Sequence, residues 1–299
     1  MTLTAFLLIF FSIFLHAGWN FMSKATRPSA AYYLIANAVA AVILTPFLFL
    51  ARISWKDLGG AFWIFLAGSI CFEVIYAIGL FRTYKRNDIS MAYPMVRALP
   101  VLFTAILTMT LGLGKTPGVL ACCGFAVVAS GCFLLPQKHL KDLFTLKNLD
   151  KKALIPILIA ACGTTGYTLM DSLGTVPFKA CSVSGNLITV GAYLCLVQIG
   201  IALGLAPVVF CSGREIVELR RKCLLSPWPW LCGIFSTTAY FLVVTAMGYV
   251  DNVTFIQVFR QASLPVGVAA GIIFLHEKIS VPKIAGTALV VAGLVMTVL

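Results

Sequence analysis

Two arginines, Arg97 and Arg260, and one glutamate, Glu73, stand well inside long apolar runs. An ionisable side chain at such a place costs roughly 2.5 to 3.5 kcal/mol on insertion scales, so it persists where it faces protein or water and has a partner. Each arginine sits about eight residues, or ~12 Å, past the start of its run, toward the middle of a hydrocarbon layer about 30 Å thick. A planar guanidinium at that depth can hold a carboxylate or phosphate-like group through paired hydrogen bonds. Alternatively, it pairs with Glu73 or with free carbonyls and only ties helices together. Glu73 is, in turn, either the counter-ion of Arg97 or Arg260 or a proton-coupling group.

Further polar side chains fall on patterned faces. His16, Asn20 and Lys24 recur at i, i+4 and i+8, one stripe of a helix, and a weaker stripe, Thr164, Thr168 and Ser172, occupies the matching run of the second half. Both stripes read as cavity lining, although Lys24 lies near its helix end and suits snorkelling to the interface. Tyr93 precedes Arg97 by one turn, and with Tyr76, Trp19 and Gln257 it completes the candidate binding residues. Asp171 is read as near the end of its run and outside the site. Pro94, Pro100 and Pro265 interrupt the arginine-bearing runs, where each removes an intrahelical bond and can free carbonyls.

Enzyme signatures do not complete. The HEKIS segment opens like a zinc-protease helix, but Ser280 stands where the second histidine ligand is needed. No G-x-S-x-G elbow, Walker A loop or dinucleotide fingerprint is present. The chain is therefore expected to be no enzyme, with no catalytic residue, no metal and no cofactor.

The elements that position these residues follow from composition. Of 299 residues, 61% are hydrophobic and 11% charged, and the mean hydropathy is +1.00; a soluble domain averages about 25% charged residues. Walking the chain finds ten apolar stretches of spanning length, near 2–23, 30–51, 59–81, 89–111, 117–135, 153–173, 183–210, 224–248, 252–275 and 280–299. The expected fold is an all-α integral membrane protein, because runs this long are helices and not the short alternating strands of a barrel. The net charge of +12 lies in strips between the runs, where it faces lipid headgroups and not nucleic acid. The ten cysteines lack C-x-x-C spacing and read as small buried apolar residues, and the first run, 1–22, reads as a mature helix and not a signal peptide.

The two halves match. Asp88 to Arg97 repeats as Asp251 to Arg260, Gly124 and Gly131 repeat as Gly286 and Gly293, and the residues from His16 to Lys24 align with Thr164 to Ser172. Trp19 thus corresponds to Tyr167, Glu73 to Thr237 and Tyr76 to Tyr240. Five spans per half, an odd number, make the second half enter the membrane from the opposite side: a 5+5 inverted repeat, with halves at 1–135 and 153–299 joined by a loop at 136–152. Lys and Arg crowd the loops after odd-numbered spans, and the even loops hold only Arg52, Lys56, Lys115 and Lys179. The positive-inside rule then puts both termini outside.

The segments HAGWNFMSK at 16–24, DISMAYPMVR at 88–97 and FLHEKIS at 274–280, set in this duplicated plan, resemble the drug/metabolite transporter superfamily, EamA-type. The resemblance covers nearly the whole chain. It implies a multi-pass transporter of the bacterial inner (plasma) membrane, with a central cavity between the halves and the fifth and tenth helices packed together outside it. Two departures stand out: Lys115 replaces the acid common before the fifth helix, while Glu277 keeps its second-half counterpart; and relatives have cytoplasmic termini, against the charge bias. The function expected is secondary-active transport of a small anionic or zwitterionic metabolite, amino-acid-like or carboxylate- or phosphonate-bearing, by alternating access, with the lipid bilayer and a coupling proton or counter-ion as partners. A flippase for a lipid-linked substrate is the alternative.

Overall fold

The computed structural model describes residues 3–110, 118–135, 137, 151–247, 263–296 and 299, and these are almost entirely helical. The helices are α1 (Leu3–Ala25), α2 (Ala30–Leu50), α3 (Gly60–Arg86), α4 (Ile89–Thr110), α5 (Val119–Leu134), α6 (Lys151–Ala180), α7 (Asn186–Phe210), the short α8 (Gly213–Glu218), α9 (Pro227–Met247), α10 (Ser263–Phe274) and α11 (Val281–Met296). Each of the ten apolar stretches overlaps one of these helices. Residues Phe6–Ala25 of α1, Lys152–Ala180 of α6, and the whole of α2, α3 and α7 are long and apolar enough to cross a membrane; α5, α10 and α11 are apolar but shorter. Among the described residues the only extended pairing is an isolated bridge between Ile53 and Ser182.

The exterior is largely apolar, unlike that of a soluble protein, and the mostly apolar interior carries a minority of polar groups. Phe49, Ile64 and Leu203 are 83%, 70% and 68% exposed, whereas Ser12, Ser69 and Ser263 are fully buried. A surface of this kind is stable against lipid tails. The expectation that the cysteines are buried needs correcting: Cys132, Cys195, Cys223 and Cys232 are, but Cys71, Cys122, Cys123, Cys162 and Cys211 are exposed, and all ten are free thiols. Most of the exposed ones sit on outward helix faces, where a thiol behaves as a small hydrophobe.

Helices pack in a regular scheme: α3 along α6, α1 along α9, α2 along α7, α4 against α10, and α5 along α11. Small residues let backbones touch, since association in lipid rests on close packing rather than on expulsion of water. A Cβ added at Gly163 of α6 would lie 2.6 Å from the Tyr76 nitrogen, and one at Gly131 of α5 would lie 2.8 Å from the Gly286 carbonyl oxygen of α11. The α5–α11 pair stands to one side and contributes no residue to the central cavity described below. Helices α2, α4, α6 and α7 each run through at least one internal proline without interruption.

Two boundaries differ from the sequence reading. Helix α3 runs on to Arg86, and α6 runs to Ala180, seven residues past the expected end. Hydropathy falls at Asp171 and Ser172, but Asp171 finds hydroxyl partners on neighbouring helices, and Phe178 is fully buried and stacks on Phe62 at 5.3 Å. Tertiary contacts therefore carry the helix onward. The short α8 and the π turn Leu219–Cys223 behind it were read as loop; Glu215 of α8 accepts a hydrogen bond from the Ala31 nitrogen at 3.0 Å.

The bundle has two chemically different ends. At one, the turn between α3 and α4 meets α1, the start of α6 and the loop before α11: the Asn87 amide donates to the Ala153 carbonyl at 3.1 Å, Arg86 donates to the Lys152 carbonyl at 3.1 Å, and Lys283 pairs with Asp88 at 2.7 Å. At the other, the α2–α3 and α6–α7 loops pair, with Ser54 donating to the Cys181 carbonyl at 2.9 Å and Arg52 to Ser184 Oγ at 2.8 Å. Replacing Gly163 with Val should lower stability by about 1–3 kcal/mol, the usual cost of overpacking, because the obstacle is Tyr76 backbone. Gly118→Ala, where a Cβ meets nothing within 4 Å, should leave the melting temperature in detergent unchanged; thermal melts of both variants check the pair.

Candidate functional site

One cavity lies at the centre of the bundle, with room for water-sized groups of about 150 Å³. Seven helices line it: α1 with His16 and Trp19, α2 with Tyr33 and Asn37, α3 with Glu73 and Tyr76, α4 with Arg97, α6 with Tyr167 and Asp171, α7 with Gln198, and α9 with Ser236, Thr237 and Tyr240. Of the residues nominated from sequence, His16, Trp19, Glu73, Tyr76 and Arg97 meet here. Arg260 and Gln257 lie outside the described residues.

Arg97 enters from α4 above the face of Tyr93, with its guanidinium carbon 5.8 Å from the ring centroid. One terminal nitrogen donates to Ser263 Oγ at 3.4 Å, a long bond, and Nε has no partner among the described residues. Glu73 makes no hydrogen bond or ion pair among them. Of the alternatives for Glu73, the ion pair with Arg97 is not formed, although both residues line the same space.

Asn20 and Tyr93 are not among the residues that line the cavity. Asn20 is 2% exposed; its amide donates to the His16 carbonyl at 2.8 Å and its oxygen accepts from the Tyr84 hydroxyl at 2.5 Å. Tyr93 is fully buried and donates to Ser263 Oγ at 3.1 Å. Both stand behind the wall and hold Tyr84 and Arg97 in place. Lys24 donates to the Tyr84 carbonyl at 3.0 Å and to that of Asn87, so it caps the carbonyl end of α3 instead of lining or snorkelling. Of the α6 stripe, Thr164 and Thr168 are not among the lining residues, and the Ser172 side chain lies outside the described residues. Thr164 and Thr168 bond back to carbonyls four residues earlier, at 3.0 and 2.7 Å, which satisfies a threonine hydroxyl within its own helix and says nothing about which face is wet.

Asp171 was missed. It lines the cavity, and its Oδ1 accepts from Ser69 Oγ at 2.5 Å and from the Tyr193 hydroxyl at 2.8 Å. Reading α6 as ending near residue 173 hid it; Ser69, Glu73 and Tyr76 at helical spacing on α3 are the signal that could have found it. Tyr33 Oη, Thr237 Oγ1 and Gln198 Oε1 are buried in the cavity wall without a hydrogen-bond partner among the described residues. A buried polar atom left unpaired costs about 1–3 kcal/mol; several around one space mark it as a place where a polar occupant binds. Among the described residues no group of three or more His, Cys, Asp or Glu comes together to hold a metal.

Comparison with known proteins finds no family model and no curated protein that matches the chain. Away from the cavity, Glu277 accepts from the Ile89 and Ser90 nitrogens at 2.7 and 3.0 Å and from Ser90 Oγ at 2.5 Å, closing the start of the helix that carries Arg97. Glu277→Ala should therefore cost about 1–2 kcal/mol, as loss of a helix cap does, and should lower the melting temperature in detergent more than Lys278→Ala beside it.

Proposed function

We propose that the chain is a secondary-active transporter for a small anionic or zwitterionic organic metabolite, working by alternating access. The observation that carries this reading is the central cavity: Arg97, Glu73 and Asp171, from three helices, line it with no ion pair to one another among the described residues, inside a bundle whose exterior suits lipid. Nothing in the sequence binds ATP, so the driving force is a gradient or an exchange, with Glu73 or Asp171 as a site for a coupling proton.

Ten spans arranged as a 5+5 inverted repeat are part of the proposal. Helix pairing supports it, because exchanging the two sets of five converts α1–α9 packing into α6–α3 packing and returns α2–α7, α4–α10 and α5–α11 to themselves. The cavity supports it too: Trp19 and Tyr167, Glu73 and Thr237, and Tyr76 and Tyr240 hold corresponding positions in the two halves, and all six line the same space. Membership of the EamA-type drug/metabolite transporters and a bacterial inner-membrane location are the parts of the proposal that rest on the sequence segments above. We place the basic end, with Arg86, Lys152 and Lys283, in the cytoplasm.

A flippase for a lipid-linked substrate is the second reading, favoured by an apolar groove between α1 and α10 lined by Phe14, Phe21, Val266 and Phe274. Liposomes separate the two. Counterflow of labelled amino acids, carboxylates or phosphonates, abolished in a correctly folded Arg97→Gln variant, is the result expected; counterflow undiminished in that variant would remove Arg97 from the site, and movement of a headgroup-labelled lipid without counterflow would favour the flippase. In intact cells, a single cysteine at Lys56 should react with an impermeant maleimide and one at Arg220 should not.

A further inference from the structure

The depth of the charged groups in the cavity follows from helix register. Helices α3 and α6 run side by side and antiparallel, tied at one end by the Asn87–Ala153 bond and at the centre by the Ser69–Asp171 bond. Counting from Asn87 back to Ser69 and from Ala153 on to Asp171 gives the same interval, ~27 Å at 1.5 Å per residue, so the two bonds describe one register. On that scale Glu73, one turn nearer the Asn87 end than Ser69, lies at ~21 Å, and Arg97, measured along α4, at ~15 Å. The Cα positions of Arg97, Glu73 and Asp171 therefore follow one another along the bundle at intervals of about 6 Å, and all three side chains line the one cavity.

We propose, on top of the carrier reading, that this ladder selects a diamino monocarboxylate, the chemistry of a basic α-amino acid. Its carboxylate binds Arg97, its α-ammonium binds Glu73, and its side-chain cation reaches Asp171.

The two acids are prepared differently. Glu73 has no partner among the described residues and is open to a ligand's donors, whereas Asp171 has Oδ1 fixed by the Ser69 and Tyr193 hydroxyls and Oδ2 bonded to nothing among them. An ammonium brings three donors and no acceptor, the complement of both. Tyr76, three residues beyond Glu73, and Tyr167, four before Asp171, meet edge to face at 5.7 Å beside them, and aromatic rings stabilise a desolvated cation. Independently of the acids, Tyr33 and Thr237 line the same space, and their buried hydroxyls have no hydrogen-bond partner among the described residues. Among the described residues, an anion on Arg97 would leave the Glu73 and Asp171 carboxylates without a cation, and a simple zwitterion would leave that of Asp171.

The test is displacement of radiolabelled L-lysine from the detergent-purified full-length protein. Competitors are norleucine, which lacks the side-chain amine, 6-aminohexanoate, which lacks the α-amine, and cadaverine, which lacks the carboxylate. Lysine should bind with each analogue at least tenfold weaker, and Asp171→Asn should reduce lysine to the affinity of norleucine while leaving norleucine unchanged. Norleucine equal to lysine on the unmodified protein, which requires no variant to fold, would overturn the inference, as would an Asp171→Asn variant that weakens both ligands alike. If lysine does not bind but another metabolite undergoes counterflow in liposomes, the basic-amino-acid assignment falls and the carrier stands; if nothing undergoes counterflow, both fall.

Discussion

A polar side chain on the outside of a membrane-spanning helix has no water to bond, and that constraint organises the whole molecule. Every hydroxyl, amide and charge on these helices must turn inward, bond to its own backbone, or lie at an end of the bundle. Ser130 and Thr245 take the second course, returning to carbonyls four residues earlier at 2.9 and 2.7 Å. Asp171, Asn20 and Ser12 take the first, and each then fixes a helix interface: Asp171 ties α6 to α3 and α7, Asn20 ties α1 to α3, and Ser12 donates to the Ala239 carbonyl of α9 at 3.0 Å. Buried polar bonds of this kind set register more sharply than apolar packing, because a slip of one residue leaves a donor or acceptor unpaired.

Charges at the bundle ends are used as helix caps. Lys24 meets the carbonyl end of α3, and Glu277 and Glu215 meet the amide ends of α4 and α2, each sign matched to the helix dipole it faces. With those groups committed to structure, Arg97, Glu73 and Asp171 are left facing one central space without an ion pair to one another. A buried pair would neutralise both partners and add little net stability. Groups held apart along a cavity keep their capacity to bind something else.

How far the residues announce this arrangement differs from one to the next. Arg97 and Glu73 are visible as isolated charges in apolar runs, and Trp19 and Tyr76 as aromatic residues on the same faces, and all four reach the cavity. Asn20 and Tyr93 have the same sequence signature and stand behind the wall, because a polar group three or four residues from a cavity-lining one can as easily bond across an interface as face the space. Asp171 is the reverse case. It looks like the end of a span, since hydropathy cannot distinguish a carboxylate that faces water from one satisfied by hydroxyls on α3 and α7. The threonine stripe of α6 misleads for a related reason: hydroxyls that bond to their own helix carry no information about orientation.

By itself the sequence determines the class of molecule and the position of its helices, because both depend on runs of side chains too apolar for water and on the 1.5 Å rise that lets about 20 of them cross a bilayer. Which face of each helix turns inward, and hence which charges meet, was decided only by tertiary structure. That choice rests on contacts between residues far apart in the chain, such as Gly163 against the Tyr76 backbone and Ser69 against Asp171, and no local pattern encodes a partner on another helix.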